Sequence, residues 1–329
     1  MSNRKLSKKQ LQRIAENQQK ELPNVDGRVS VDISNCNGRI ISHFGQQLDV
    51  EILKGSAAGS IMRCHQRANL PHLVTGDLVQ WVADTQDTGI IVAQSSRKNI
   101  FGRYDSNGKF KPIAANLSCV LIVLAVVPEA FLNLIDRYLV AIERLEILPL
   151  LVLNKIDLIE NKKNPKLEGL LSIYRDLGYQ VFEVSAKNSS GIHSLEEALA
   201  NQTTILVGQS GVGKSSLINR LGLDKLTQTG ELSTAKYKGT HTTTTARLYH
   251  MEKCDLIDSP GIREFGLSHI KAQDVIQGFK ELNELALLCK FRDCGHDKEP
   301  GCGIQQGISN GIIAPERLDS YHRIINSLY

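Results

Sequence analysis

The sequence predicts a multidomain chain in three parts: a small closed β-barrel near the N-terminus, an α/β core built on a parallel sheet, and a helical C-terminal module stapled by a metal. Three observations carry this. Five short strand patterns, separated by turn residues, fill residues 38–94. From about Pro112, continuous apolar runs alternate with segments of helical spacing. After about Ser268 the chain turns helical and enters a Cys/His/Gly-rich tail. At 329 residues, two or three domains are expected. Hydrophobic residues at 41% and charged residues at 22% suit packed cores and exclude wholesale disorder.

Residues 1–35 read as a flexible basic arm. Among the first twenty, Arg4, Lys5, Lys8, Lys9, Arg13 and Lys20 face only Glu16, while the whole chain carries +4. The rest is therefore close to neutral. A basic arm on a neutral body suggests a polyanion met locally; a solvated terminus is the plain alternative. The most apolar run, residues 117–127, is about half the ~20 residues a spanning helix needs, so no membrane partner is expected. The N-terminus has no apolar leader pattern, which points to a cytoplasmic chain. The seven cysteines are then reduced thiols or metal ligands rather than disulfides.

Strand patterns at 38–44, 47–53, 60–65, 77–83 and 89–94 fit a small barrel, of OB type for preference, with an SH3-like barrel left open by pattern alone. The basic stretch from Arg97 to Arg103 then reads as an inter-domain linker, or as a nucleic-acid contact through Phe101 and its neighbours.

The core begins with residues 119–127, a continuous apolar run of the kind that forms a strand buried on both faces. Leu132, Ile135, Leu139, Ile142 and Leu145 follow at helical spacing. Buried-strand patterns recur at 148–153, 181–184 and 204–207, and this alternation argues for a parallel sheet with helices on both faces.

The chemistry gathers at the ends of these strands. Gly208, Gln209, Ser210, Gly211, Val212, Gly213, Lys214 and Ser215 fit G-x-x-x-x-G-K-[ST] between a strand and a helix, which is the context of a P-loop. Glycine lets backbone N–H groups wrap phosphates. Lys214 is expected on the β/γ-phosphates and Ser215 on Mg²⁺. The P-loop does not choose between ATP and GTP; Asn154-Lys155-Ile156-Asp157 does. An Asp157 carboxylate accepts both N1–H and N2–H of guanine, whereas adenine leaves that charge unpaired. Lys155 covers the base with its stem and Asn154 ties neighbouring loops. Ser185-Ala186-Lys187 follows another strand and offers the Ala186 N–H to the guanine O6. Asp258-Ser259-Pro260-Gly261 follows residues 255–257, with Asp258 near Mg²⁺ through water and the Gly261 N–H at the γ-phosphate. In the Thr run 240–245, one threonine completes the Mg²⁺ shell; Thr243 is the candidate, although the pattern does not single it out.

These elements occur in circularly permuted order, with N-K-I-D and S-A-K ahead of the P-loop. The site is defined by proximity in the fold, so permutation is physically allowed. The position after D-S-P-G, where many GTPases carry a water-orienting Gln, is Ile262. Slow intrinsic hydrolysis is therefore expected. His241 is the candidate catalytic group, able to orient or deprotonate water.

Cys289, Cys294, His296 and Cys302 lie within fourteen residues in the pattern C-x₄-C-x-H-x₅-C. Cys₃His is a tetrahedral zinc set with no open position, so one structural Zn²⁺ is expected, stapling a module too small to hold itself together.

The permuted boxes, the small barrel before them and the Cys₃His tail together resemble the ribosome small-subunit-dependent GTPase A family (YjeQ-like), over nearly the whole chain. The resemblance implies an OB barrel that binds RNA, a circularly permuted P-loop core and a zinc-binding helical domain, here divided as residues 36–111, 112–267 and 268–329. It implies a GTPase acting late in maturation of the 30S subunit. Such a protein binds 16S rRNA, hydrolyses GTP to GDP and phosphate on contact with the small subunit, and is released afterwards. Residue by residue it implies GTP contacts at Asn154, Lys155, Asp157 and the P-loop through Ser216, and zinc ligands at Cys289, Cys294, His296 and Cys302. A monomer is expected.

Overall fold

A computed structural model describes residues 30–45, 47–104, 109–159, 164–223, 246–258 and 270–328. Of the expectations above, those for residues 1–29, for His241, Thr243 and the rest of the Thr run, and for Gly261 and Ile262 lie outside the described residues.

The short strands of the first part are β1 (Ser30–Val31), β2 (Gly38–Phe44), β3 (Gln47–Ile52), β4 (Ile61–Gln66), β5 (Leu78–Ala83) and β6 (Thr88–Ser95). Strands β2 to β6 close on themselves in the order β2-β3-β4-β6-β5 and back to β2. Only the β4–β6 pair is parallel. This five-stranded ring is the OB arrangement, which settles the alternative that pattern alone left open. Alternation places Ile40, Leu48, Val50, Cys64, Val79 and Ile91 in a shared interior, joined by Leu73. Two glycines make room for the Trp81 indole. A Cβ on Gly38 would lie 2.7 Å from its Cδ1, and one on Gly89 2.7 Å from its Cε3.

The stretch expected to link the domains is structured instead. Strand β7 (Ile100–Tyr104) pairs antiparallel with β8 (Phe110–Ala115). Arg97, at the head of this stretch, is drawn inward by the fully buried Asp77, to which its Nε donates at 2.7 Å. A buried carboxylate needs such a partner, so the arginine serves the barrel rather than a linker.

The core sheet contains β9 (Cys119–Ala125), β10 (Leu148–Asn154), β11 (Val181–Glu183), β12 (Thr203–Val207), β13 (Arg247–His250) and β14 (Asp255–Asp258), in the order β13-β14-β12-β9-β10-β11. All neighbours are parallel except β13 and β14. Every residue of β9 is buried, as a central parallel strand covered on both faces requires. The helix Leu132–Glu143 lays Ile135, Tyr138, Leu139 and Ile142 against the sheet.

The barrel and the core share one continuous sheet, because β2 meets β13 at Arg247↔Ser42. Of the C-terminal helices, Pro315–Asn326 packs against the helix Leu132–Glu143, as does the turn Ile276–Gly278, while Lys280–Ala286 packs against Gly303–Ser309. Contact there is close: a Cβ on Gly278 would lie 2.4 Å from the Val140 Cα. Among the described residues, no helix is long and apolar enough to cross a membrane.

Candidate nucleotide site and metal centre

Strands β10, β11, β12 and β14 run in the same direction, so their carboxyl ends open on one edge of the sheet, where α/β folds bind ligands. The expected motifs leave from these ends. Asn154 closes β10, Ser185 follows β11, Gly208 follows β12, and Asp258 closes β14. Segments distant in the chain therefore meet despite their permuted order.

The P-loop turns on glycines that no other residue can replace. Gly208 has φ 145°, and a Cβ on it would lie 2.2 Å from the Val123 carbonyl oxygen. Gly213 has φ 94°, and its Cβ would lie 2.5 Å from Asn154 Nδ2. Ser210, Gly211, Ser215 and Ser216 are exposed at the surface of the loop, whereas Val212 is buried beneath it. Lys214 Nζ donates to the Gly208 and Gln209 carbonyls, both at 2.7 Å. The ammonium is thus held over the concave side of the loop. Burial pushes the Asp258 carboxyl up from its ordinary value, and the Lys214 charge pulls it part of the way back.

Asn154 is the tie that its position suggested. Its Nδ2 donates to the Val212 carbonyl at 3.0 Å, and its Oδ1 accepts from the Ala186 N–H at 3.1 Å. One side chain therefore joins the P-loop to the S-A-K loop. The Ala186 N–H, expected at guanine O6, is occupied by Asn154 here. Lys155 sits in the left-handed region at φ 65° and donates to the Val127 and Gly211 carbonyls at 2.7 and 2.6 Å. Its stem thereby spans the space beside the P-loop. Asp157 accepts from Ser185 Oγ at 2.6 Å, which orients the carboxylate and leaves its second oxygen 4.0 Å from Lys187 Nζ.

Sequence reasoning missed Arg220. It extends from the P-loop helix and donates to the Ala186 and Lys187 carbonyls at 3.0 and 3.2 Å. It forms a second clamp between the phosphate loop and the base loop. No motif marks it, because two backbone carbonyls leave no trace in composition.

The four tail ligands converge. The ligand atoms of Cys289, Cys294, His296 and Cys302 all lie within 4.8 Å of one another. Cys289 Sγ and Cys302 Sγ are 3.9 Å apart, and His296 Nδ1 is 3.5 and 3.6 Å from them. A tetrahedral ion bonded to sulfur at about 2.3 Å and nitrogen at about 2.0 Å requires separations of about 3.8 and 3.5 Å. The residues therefore fit a tetrahedral metal. Backbone N–H groups of Gly303 and Gln305 point at the Cys289 and Cys302 sulfurs, at 3.3 and 3.5 Å, and such donors stabilise metal-bound thiolates.

With this geometry in place, comparison with known proteins is specific. Residues 94–268 match the family model described as RsgA GTPase. A protein of Pseudomonas savastanoi pv. phaseolicola, named small ribosomal subunit biogenesis GTPase RsgA, is 48% identical over 338 residues, covering 100% of this chain and 98% of that protein. A Pseudomonas putida protein of the same name is 52% identical over 292 residues, covering 88% and 85% of the two chains. Among solved structures, YjeQ from Thermotoga maritima superposes with a TM-score of 0.73 at 30% identity, over 88% of this chain and 97% of that one. YloQ, described as a circularly permuted GTPase, superposes with a TM-score of 0.70 at 25% identity, over 88% and 94%.

Proposed function

Because this chain belongs to the RsgA GTPase family and is a GTP-hydrolysing enzyme, we propose that it acts in the cytoplasm, as a monomer, in late maturation of the 30S ribosomal subunit. It binds 16S rRNA there through the basic arm, the barrel and the helical module. Contact with the subunit completes the catalytic site, GTP is hydrolysed, and the protein leaves. The observation that supports this reading best is the convergence of the four strand ends, which brings a base-reading carboxylate, a phosphate loop and Asp258 to one edge of the sheet.

In this reading Asp157 accepts the guanine N1–H and N2–H, held for that task by Ser185. Lys155 covers the base. The P-loop N–H groups from Gly208 to Ser216 surround the phosphates, and Lys214 exchanges its loop carbonyls for β/γ-phosphate oxygens. Mg²⁺, when bound, neutralises charge on those oxygens; Ser215 and Thr243 would hold it, with Asp258 nearby through water. A water attacks the γ-phosphorus, a new O–P bond forms, and the bond to the β-phosphate oxygen breaks to give GDP and phosphate. His241 orients that water, since Ile262 has no group that can. The Cys₃His centre takes Zn²⁺, with a structural role because all four positions are protein ligands.

The direct test is GTP turnover with and without purified 30S subunits. Strong stimulation is expected, and equal rates would remove the mechanism. Base reading has its own test: Asp157→Asn should exchange guanine for xanthine preference, and retained guanine preference would refute the role of this carboxylate.

A further inference from the structure

Where the barrel meets the core, two cross-strand pairs interlock. Arg39 and Glu51 face each other on β2 and β3 of the barrel. His250 and Asp255 face each other on β13 and β14 of the core. Each cation also reaches across the junction. Arg39 bonds its own Glu51 at 3.1 Å and Asp255 of the hairpin at 2.7 Å. His250 bonds its own Asp255 at 2.6 Å and Glu51 of the barrel at 3.0 Å. The result is a closed ring of alternating charge. Both imidazole nitrogens face carboxylates, which requires both to donate and therefore a charged ring. The two carboxylates raise the His250 pKa to about 9. Burial opposes ionisation of Glu51 and Asp255, but His250 and Arg39 outweigh it and hold both carboxyls below their ordinary range.

The ring grips one particular element. The β13–β14 hairpin has four rungs, from His250↔Asp255 at its turn to Arg247↔Asp258 at its open end. In the chain, the open end continues on one side to the Thr run and on the other to D-S-P-G. The hairpin thus joins the two segments that carry Thr243 and Asp258, both placed near Mg²⁺ in the function proposed above. Three strand steps of about 3.4 Å place the gripped rung about 10 Å from Asp258. Among the described residues, the other ties across this junction include the Arg247↔Ser42 bridge, a bond from Thr75 Oγ1 to the Ala246 carbonyl at 2.9 Å and the packing of Ile41 in one cluster with Leu248 and Ile257.

We propose that Arg39, Glu51, His250 and Asp255 are positioning residues that couple the barrel to this hairpin, so that stimulation of GTP hydrolysis by the small subunit passes through the ring while intrinsic hydrolysis does not. The inference rests on the proposed function, since it needs a partner that the barrel touches. It adds the route by which that contact reaches the phosphate.

The test uses the full chain with Mg²⁺ and compares GTP turnover alone with turnover across a titration of 30S subunits. Arg39→Gln opens the ring from the barrel side and His250→Gln from the hairpin side. The intrinsic rate should stay within about twofold, as for other partly exposed ion pairs. The maximal stimulated rate should fall by about tenfold in both, within the usual range of coupling between sites. The concentration of subunits giving half-stimulation should not move. The double variant should lose no more than the worse single, because both open the same ring. Lys253→Gln, which removes the Glu197 pair at the same hairpin turn but outside the ring, should keep full stimulation. Glu51→Gln, a smaller change, replaces any variant that fails to fold. Full stimulation in both ring variants overturns the inference, and so does a loss confined to subunit affinity or shared equally by the intrinsic rate. A wild-type protein that subunits do not stimulate overturns the proposed function as well.

Discussion

The core is fastened to its two neighbours by charges, but in opposite surroundings. At the helical module, Arg317 reaches into the helix Leu132–Glu143 and pairs with Asp136, their side chains 1% and 0% exposed. The same guanidinium donates to Glu281 at 2.6 Å, lies 4.4 Å from the Phe279 ring centroid, and shares Asp136 with the Tyr174 hydroxyl at 2.7 Å. At the barrel, the four ring side chains are 11 to 48% exposed. Water can replace a lost partner at the second junction but not at the first. Charge pairing therefore does not by itself say how costly the loss of one partner is; access to water decides. The helical module is joined through a charge pair shut off from water. The barrel is joined through a charge ring that water reaches, beside Ile41 packed in one cluster with Leu248 and Ile257 of the core.

Metal removal should have the largest effect, because structural zinc binding contributes on the order of 10 kcal/mol to folding. After chelation, limited proteolysis should cut between residues 287 and 302 while the barrel stays intact. Next, Arg317→Ala leaves Asp136 and Glu281 without their cation, which should cost about 3–5 kcal/mol in urea unfolding. Pairing Arg317→Met with Asp136→Leu should recover much of that loss, because a matched apolar pair needs no solvation. At the other junction, Arg39→Gln should cost less than about 1 kcal/mol, and the loss should shrink as salt is raised. An equal cost at both junctions would erase the distinction.

The smallest effect is a pH dependence. His250 has a raised pKa in the folded chain, about 9 against 6.5, so its contribution to stability is complete below 6.5 and fades as pH rises through 9. Urea midpoints of the wild type and His250→Gln should therefore differ at pH 6 and converge by about pH 10. Convergence in the acid direction instead would show that the imidazole is neutral in the fold.

Much of this architecture was legible in the sequence. The apolar runs of β9 and β10 announce strands covered on both faces, and the barrel strands lie within a residue of their patterns, because period-two alternation is a local property. The P-loop and N-K-I-D are legible for a chemical reason: phosphate and guanine each demand particular residues at fixed spacing. The β7–β8 hairpin was not legible. Arg103 and Lys111 sit opposite one another and Pro112 interrupts β8, both of which argue against a strand. Nor were the two junctions. Arg317 and Asp136 are 181 positions apart, and Arg39 and Asp255 are 216 apart, so each looks like an ordinary surface charge until the fold brings its partner.

The order of strands in the core sheet also sets a timetable. A chain made from its N-terminus lays down β9 first, then β10 and β11 outward on one side. It then returns to build β12, β13 and β14 on the other. The N-K-I-D and S-A-K loops are thus translated before the P-loop exists. Strand β13, made near the end, must travel back to the first domain, where it meets β2. A half-made polypeptide of this design lacks its phosphate loop until β12 has emerged, and the joint with its oldest domain is among the last to be made.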